Sequence, residues 1–169
     1  GKGLTAVEFD DSSNIYIALS ADANTNSGTS GGEVRKYDTN LNLIWTKSYS
    51  NYSPEKIEIS SENLVVSGKT GWSTGQLFVS RLSQINGQEI WNNIVTGFHE
   101  DGRTMEMNDS YVCFFPSGNV FYTFDTDSGN VIVSNQYVGN DTRKLSNFTN
   151  DNTMLYHTNI NNSNGATEL

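Results

Sequence analysis

Basic charge, proline and cysteine are all scarce in this chain, and long apolar runs are missing. Ten Lys and Arg stand against 19 Asp and Glu, a formal charge of −9. That balance argues against a nucleic-acid or anionic-membrane partner, because cationic attraction to phosphate dominates both. Solubility is the plainer use of the charge. No stretch approaches the ~18 apolar residues that a membrane helix needs, so no membrane insertion is expected. The one cysteine, Cys113, has no intrachain partner to bridge, and inside Tyr-Val-Cys-Phe-Phe it reads as a small buried hydrophobe. The chain starts without Met or a signal peptide, as expected of a start inside a longer protein or after processing.

Catalytic motifs are missing too. There is no Gly-x-Ser-x-Gly, no His-Glu-x-x-His and no phosphate-cradling glycine loop opening a helix. The two histidines, His99 and His157, lie in different parts of the chain. His99-Glu100-Asp101 reads as a solvated connection rather than a ligand set. Asp125-Thr-Asp127-Ser-Gly129 has the look of a calcium loop, but the later ligands and the distant Glu are lacking. A hairpin turn is the simpler reading. No enzyme activity and no cofactor are expected.

What is present is a repeated sentence of short strands. Gly75–Thr96 reads as a hairpin: a β-rich run to Leu82, a reversal at Asn86-Gly87, and a second run containing Trp91. Gly32-Glu-Val-Arg-Lys-Tyr37 with Leu43-Ile44-Trp45 repeats it, as does Gly118–Phe124 with Val131-Ile132-Val133. Each hairpin follows an apolar-Glu-apolar strand (Val7-Glu8-Phe9, Ile57-Glu58-Ile59, Met105-Glu106-Met107) and an unbroken apolar strand such as Leu64-Val65-Val66. Alternation puts the Glu on one face and its apolar flanks on the other. Unbroken apolarity implies a strand buried on both faces. A self-similarity of 40–50 residues built from four short strands predicts an all-β fold, a β-propeller of four-stranded antiparallel blades.

The units run about 1–50, 51–99 and 100–139, with an incomplete one at 140–169, about three and a half blades in a single domain. Propellers close with about four to eight. The chain belongs to a longer propeller, or its open sheet edges are completed by other protein chains or copies of itself, or its strands form an unrelated β-sandwich.

The stretch Asn-Ile-Tyr-Ile-Ala-Leu-Ser followed by Val-Arg-Lys-Tyr-Asp-Thr-Asn-Leu-Asn-Leu-Ile-Trp45 resembles the bacterial-type β-propeller repeat of cell-surface proteins. Arg81-Leu-Ser-Gln-Ile-Asn-Gly-Gln-Glu-Ile-Trp91 is similar to the repeat of quinoprotein-type propellers. The likeness covers the first two units well, the third with Val133 in place of Trp, and the fourth in part. It implies a four-stranded blade and no particular activity, since propellers host many functions.

Three sets of residues carry functional expectations. Glu8, Glu58 and Glu106 recur on the strands that would line a propeller channel, where they are placed to meet a cation or polar ligand. The plainer reading pairs them with Lys56 and Arg103. Trp72, in Thr-Gly-Trp-Ser-Thr-Gly, has no repeat counterpart and is a candidate for stacking on a sugar or anchoring a partner. Five Asn-X-Ser/Thr sequons, at Asn51, Asn108, Asn140, Asn147 and Asn161, are candidate N-glycan sites. Four fall in expected loops, whereas Asn147 takes the place of Met107 in its unit. The function expected is a non-enzymatic extracellular or cell-surface module, structural or interacting, as a subunit of an assembly or filament. The alternatives are a lectin-like propeller and, last, a fragment of a quinoprotein-like enzyme.

Overall fold

The computed structural model describes residues 2–21, 31–70, 76–96, 105–117, 120–136, 142–148 and 154–159, the last two as backbone. Three four-stranded antiparallel sheets follow one another along the chain. The first contains β1 (Lys2–Phe9), β2 (Ile15–Ala21), β3 (Gly32–Tyr37) and β4 (Leu43–Tyr49). The second contains β5 (Tyr52–Ser60), β6 (Asn63–Thr70), β7 (Gln76–Leu82) and β8 (Glu89–Thr96). The third contains β9 (Met105–Met107), β10 (Tyr111–Ser117), β11 (Val120–Asp125) and β12 (Val131–Gln136). A two-stranded sheet follows, β13 (Thr142–Phe148) with β14 (Met154–Asn159). Strands pair in sequence order within every sheet, so each sheet is a meander, and no helix occurs among the described residues. This is the expected all-β propeller architecture.

The registers line the blades up residue for residue. Glu8, Tyr16, Lys36 and Trp45 form one cross-strand row in the first blade. Glu58, Val65, Arg81 and Trp91 form it in the second, and Glu106, Cys113, Thr123 and Val133 in the third. Trp45 and Trp91 are therefore equivalent, and Val133 stands in their place.

Two apolar layers hold the stack. Tyr16, Ala18, Val34 and Trp45 of the first blade pack on Ile57, Leu64, Val66, Phe78 and Leu82 of the second. On the other side of the second blade, Val65, Leu77 and Val79 pack on Met105, Val112, Phe114 and Phe124. The β6 strand is thus sealed on both faces, as its unbroken apolar run requires. Each fully buried Leu, Val or Ile contributes about 1.5–3 kcal/mol.

The hairpin turns depart from the expected tight Asn-Gly reversal. Only Gly87 has positive φ (+70°), while Asn86 uses its Oδ1 to accept from the Gln88 N–H at 3.1 Å. The turn is wider, with the Ser83 N–H donating to Gln88 O and the Gly87 N–H to Ser83 O. Gly129 (φ +71°) closes the third blade's turn in the same way. Its Asp125 Oδ1 accepts from the Ser128 N–H and hydroxyl, both at 2.7 Å, so Asp125–Gly129 is a hairpin turn in this structure.

Candidate functional site

Two places gather polar chemistry. The first is the inner edge, where the opening strands of successive sheets lie against one another, β1 on β5, β5 on β9 and β9 on β13. Alternation turns Glu8, Glu58 and Glu106 to the same side of their strands, and the blade stacking brings their charges within reach of one another. Lys56, two residues before Glu58 on the same strand face, places its Nζ 2.5 Å from Glu58 Oε1. Burial pushes the Glu58 carboxyl up, the Lys56 bond and charge oppose that, and Glu106 and Glu8 add to the rise. Glu106 is raised first by burial and then by Glu8, against Lys56. Burial pulls Lys56 down, yet its bond to Glu58 and the three negative charges hold it above its ordinary value. Among the described residues one ammonium thus serves three carboxylates. Among the described residues no group of three His, Cys, Asp or Glu side chains is arranged to hold a metal ion. Arg103, the other expected partner, lies outside the described residues.

In the fourth sheet the register sets Asn147 opposite Leu155.

The second place is the junction between blades, and the sequence reading passed over it. The Trp45 Nε1–H donates to Gln84 O in the next blade's turn at 3.0 Å, and Lys36 Nζ donates to the same carbonyl at 3.1 Å. Lys36 also lies 4.9 Å from the centre of the Tyr16 ring and 3.4 Å from Asp10 Oδ2. One blade on, the Trp91 Nε1–H donates to Thr126 O at 2.9 Å, and Arg81 Nη1 reaches Thr126 O at 3.4 Å and Asp127 Oδ1 at 3.0 Å. The indole rings lie flat on the turn glycines. A Cβ on Gly87 would sit 2.7 Å from Trp45 Cε3, and one on Gly129 would sit 2.6 Å from Trp91 Cδ2. Each junction is therefore a latch in which a cation and an indole share a carbonyl and the ring covers a glycine. In the third blade Thr123 and Val133 stand at the two donor positions. The signal was available in sequence: a Lys or Arg nine or ten residues before Trp45 and Trp91, and a turn Gly about 40 residues after each of the two.

The remaining candidates scatter. Asn51 is exposed in the connection from β4 to β5. Asn108 is half-buried in the β9–β10 turn, its Oδ1 accepting from the Ser110 and Tyr111 N–H groups at 2.9 and 2.7 Å. Asn140, Asn161, Trp72 and His99 lie outside the described residues. Cys113 is buried, its thiol 3.6 Å from Thr123 Oγ1. No described helix is long and apolar enough to cross a membrane.

No protein-family model matches the chain, and no curated protein matches it in sequence. Solved structures do resemble it. BamB from Moraxella catarrhalis superposes with a TM-score of 0.55 at 18% identity, covering 79% of this chain and 38% of that one. A HIRA fragment, residues 644–1017, gives 0.52 at 12%, covering 81% of this chain and 42% of that one. A protein of unknown function from Bacteroides caccae gives 0.57 at 10%, covering 92% and 53%. The chain thus spans about half the length of these structures or less, and at such identities what it shares with them is the fold: the β-propeller.

Proposed function

We propose that this chain is a non-enzymatic interaction module of a propeller, extracellular or cell-surface in location, whose partners are proteins. The observation that carries the reading is the stacked-blade propeller fold shared with solved structures such as BamB, together with apolar side chains left exposed on it, Val7 at 40% and Phe9 at 61% among them. The want of catalytic motifs supports a non-enzymatic role, and the exposed sequon at Asn51 supports passage through a glycosylating compartment.

A photo-crosslinking residue in place of Phe9, with one at the exposed turn residue Ile85 as control, tests this in the cells that make the protein. Protein adducts from position 9 and none from position 85 are expected. Absence of adducts from position 9 overturns the reading. Expression in a glycosylating host tests the location: loss of one glycan on Asn51→Gln is expected, and an unglycosylated wild-type chain contradicts it.

A further inference from the structure

The turn that receives Trp45 carries a reactive dipeptide. Asn86 is exposed, and the next residue, Gly87, has no side chain to keep its backbone nitrogen from the Asn86 carboxamide. The Gln88 N–H donates to Asn86 Oδ1 at 3.1 Å. That bond polarises the carboxamide and is placed to stabilise the oxygen that turns anionic on attack at Cγ. Two contacts hold the nitrogen back. The Gly87 N–H is committed to Ser83 O at 2.9 Å, and the Trp45 indole lies on Gly87, which is buried under it.

The third blade has the same turn without the reactive group. The Ser83 N–H to Gln88 O and Gly87 N–H to Ser83 O bonds are matched by Asp125 N–H to Asn130 O and Gly129 N–H to Asp125 O, both at 2.9 Å. Ser128 stands where Asn86 stands. Its Oγ accepts from the Asn130 N–H at 3.2 Å, as Asn86 Oδ1 does from Gln88. A serine therefore meets the structural need of the turn, and the carboxamide is surplus to it.

We propose that Asn86 is a site of spontaneous deamidation and isomerisation, gated by the Trp45 latch. When the indole lifts and Gly87 leaves Ser83 O, the Gly87 nitrogen attacks Asn86 Cγ. A bond forms between them, the Cγ–Nδ2 bond breaks, and Nδ2 leaves as ammonia with the proton from Gly87. Water then opens the succinimide. Addition at Cγ gives aspartate at position 86, and addition at the main-chain carbonyl gives isoaspartate. Isoaspartate lengthens the backbone between Ser83 and Gln88 by a methylene group, so Gly87 and Gln84 O no longer return to the indole in register. With the ammonia lost, the first junction keeps a chemical record of having opened.

Timed incubation of the purified chain tests this. Site-resolved peptide mass spectrometry follows the gain of about 1 Da and the isoaspartyl linkage, and separates this turn from Asn164-Gly165, the chain's other Asn-Gly. Conversion at Asn86 is expected to be slow in the folded wild type and fast in urea. Trp45→Phe, which removes the bond to Gln84 O, should speed it about fivefold to tenfold in the folded chain. Lys36→Met, which strips the other donor from that carbonyl, should act in the same direction. Trp91→Phe, the same change at the next junction, should leave the rate as in the wild type. Asn86→Ser should abolish conversion and keep the wild-type unfolding midpoint. The isoaspartyl chain, isolated on ion exchange by its added negative charge, should unfold at lower urea. Equal rates in the folded chain and in urea overturn the proposal. So does a rate unmoved by Trp45→Phe and Lys36→Met, or raised equally by Trp91→Phe, and so does an isoaspartyl chain as stable as the wild type.

Discussion

In the second blade Ile57, Leu64 and Val66 are sealed against the first; in the first blade their counterparts Val7, Ile15 and Ile17 face outward and keep solvent access. The residues are of one type and the registers agree. The difference lies in what stands opposite: the second blade's face is covered by the first blade, joined to it by a cation, an indole and a glycine, and among the described residues nothing covers the first blade's own face.

The sharpest way to break that comparison is to remove an indole. Trp45→Ala deletes a buried ring, its bond to Gln84 O and its cover over Gly87, and is expected to cost about 3–5 kcal/mol in urea unfolding. Val133→Ala, at the same position of the third blade, should cost about 1 kcal/mol or less. Equal losses would mean that the latch adds nothing to ordinary packing.

The turn residues sharpen it next. Gly129→Ala combines a positive φ with a Cβ driven into Trp91, and a loss of about 2–3 kcal/mol is expected. Leu41→Gly, at a positive φ in the first blade's shorter hairpin turn, should be neutral or stabilising by up to about 1 kcal/mol. A large loss there would show that Leu41 supports the fold itself.

The smallest effect concerns protons. The folded-state carboxyls of Glu58 and Glu106 lie above the ordinary 4.5, so the folded chain takes up protons before the unfolded one does. Stability therefore rises as pH falls through the window above 4.5 and is lost as pH rises through it. Asp10 works the other way. Burial raises it, but bonds from Asn14 and Tyr16 and the charge of Lys36 bring it below 3.8, so its contribution is present above 3.8 and lost as pH falls through the folded value. Unfolding midpoints should rise modestly from neutral pH toward the carboxylate range and then fall. Glu58→Gln should flatten the first limb and Asp10→Asn the second. A monotonic fall with acid would contradict the placement of the inner glutamates.

The blades were legible because Trp45, Trp91 and the three glutamates recur at nearly constant spacing, and a spacing survives without coordinates. The latch was harder to read, since its donors and acceptor sit in different repeats. Asn86-Gly87 reads as a local turn signal, and nothing in those two residues says that the glycine is reserved for the indole of the preceding blade.

The most direct test is a double-mutant cycle between Trp45 and Gly87 on chemical unfolding. If the glycine is required because the indole lies on it, Gly87→Ala should cost about 2–3 kcal/mol in the wild type and about 1 kcal/mol in the Trp45→Ala background, where only backbone strain is left. Additive losses would mean that ring and turn act independently, and the latch as the joint between blades would have to be abandoned.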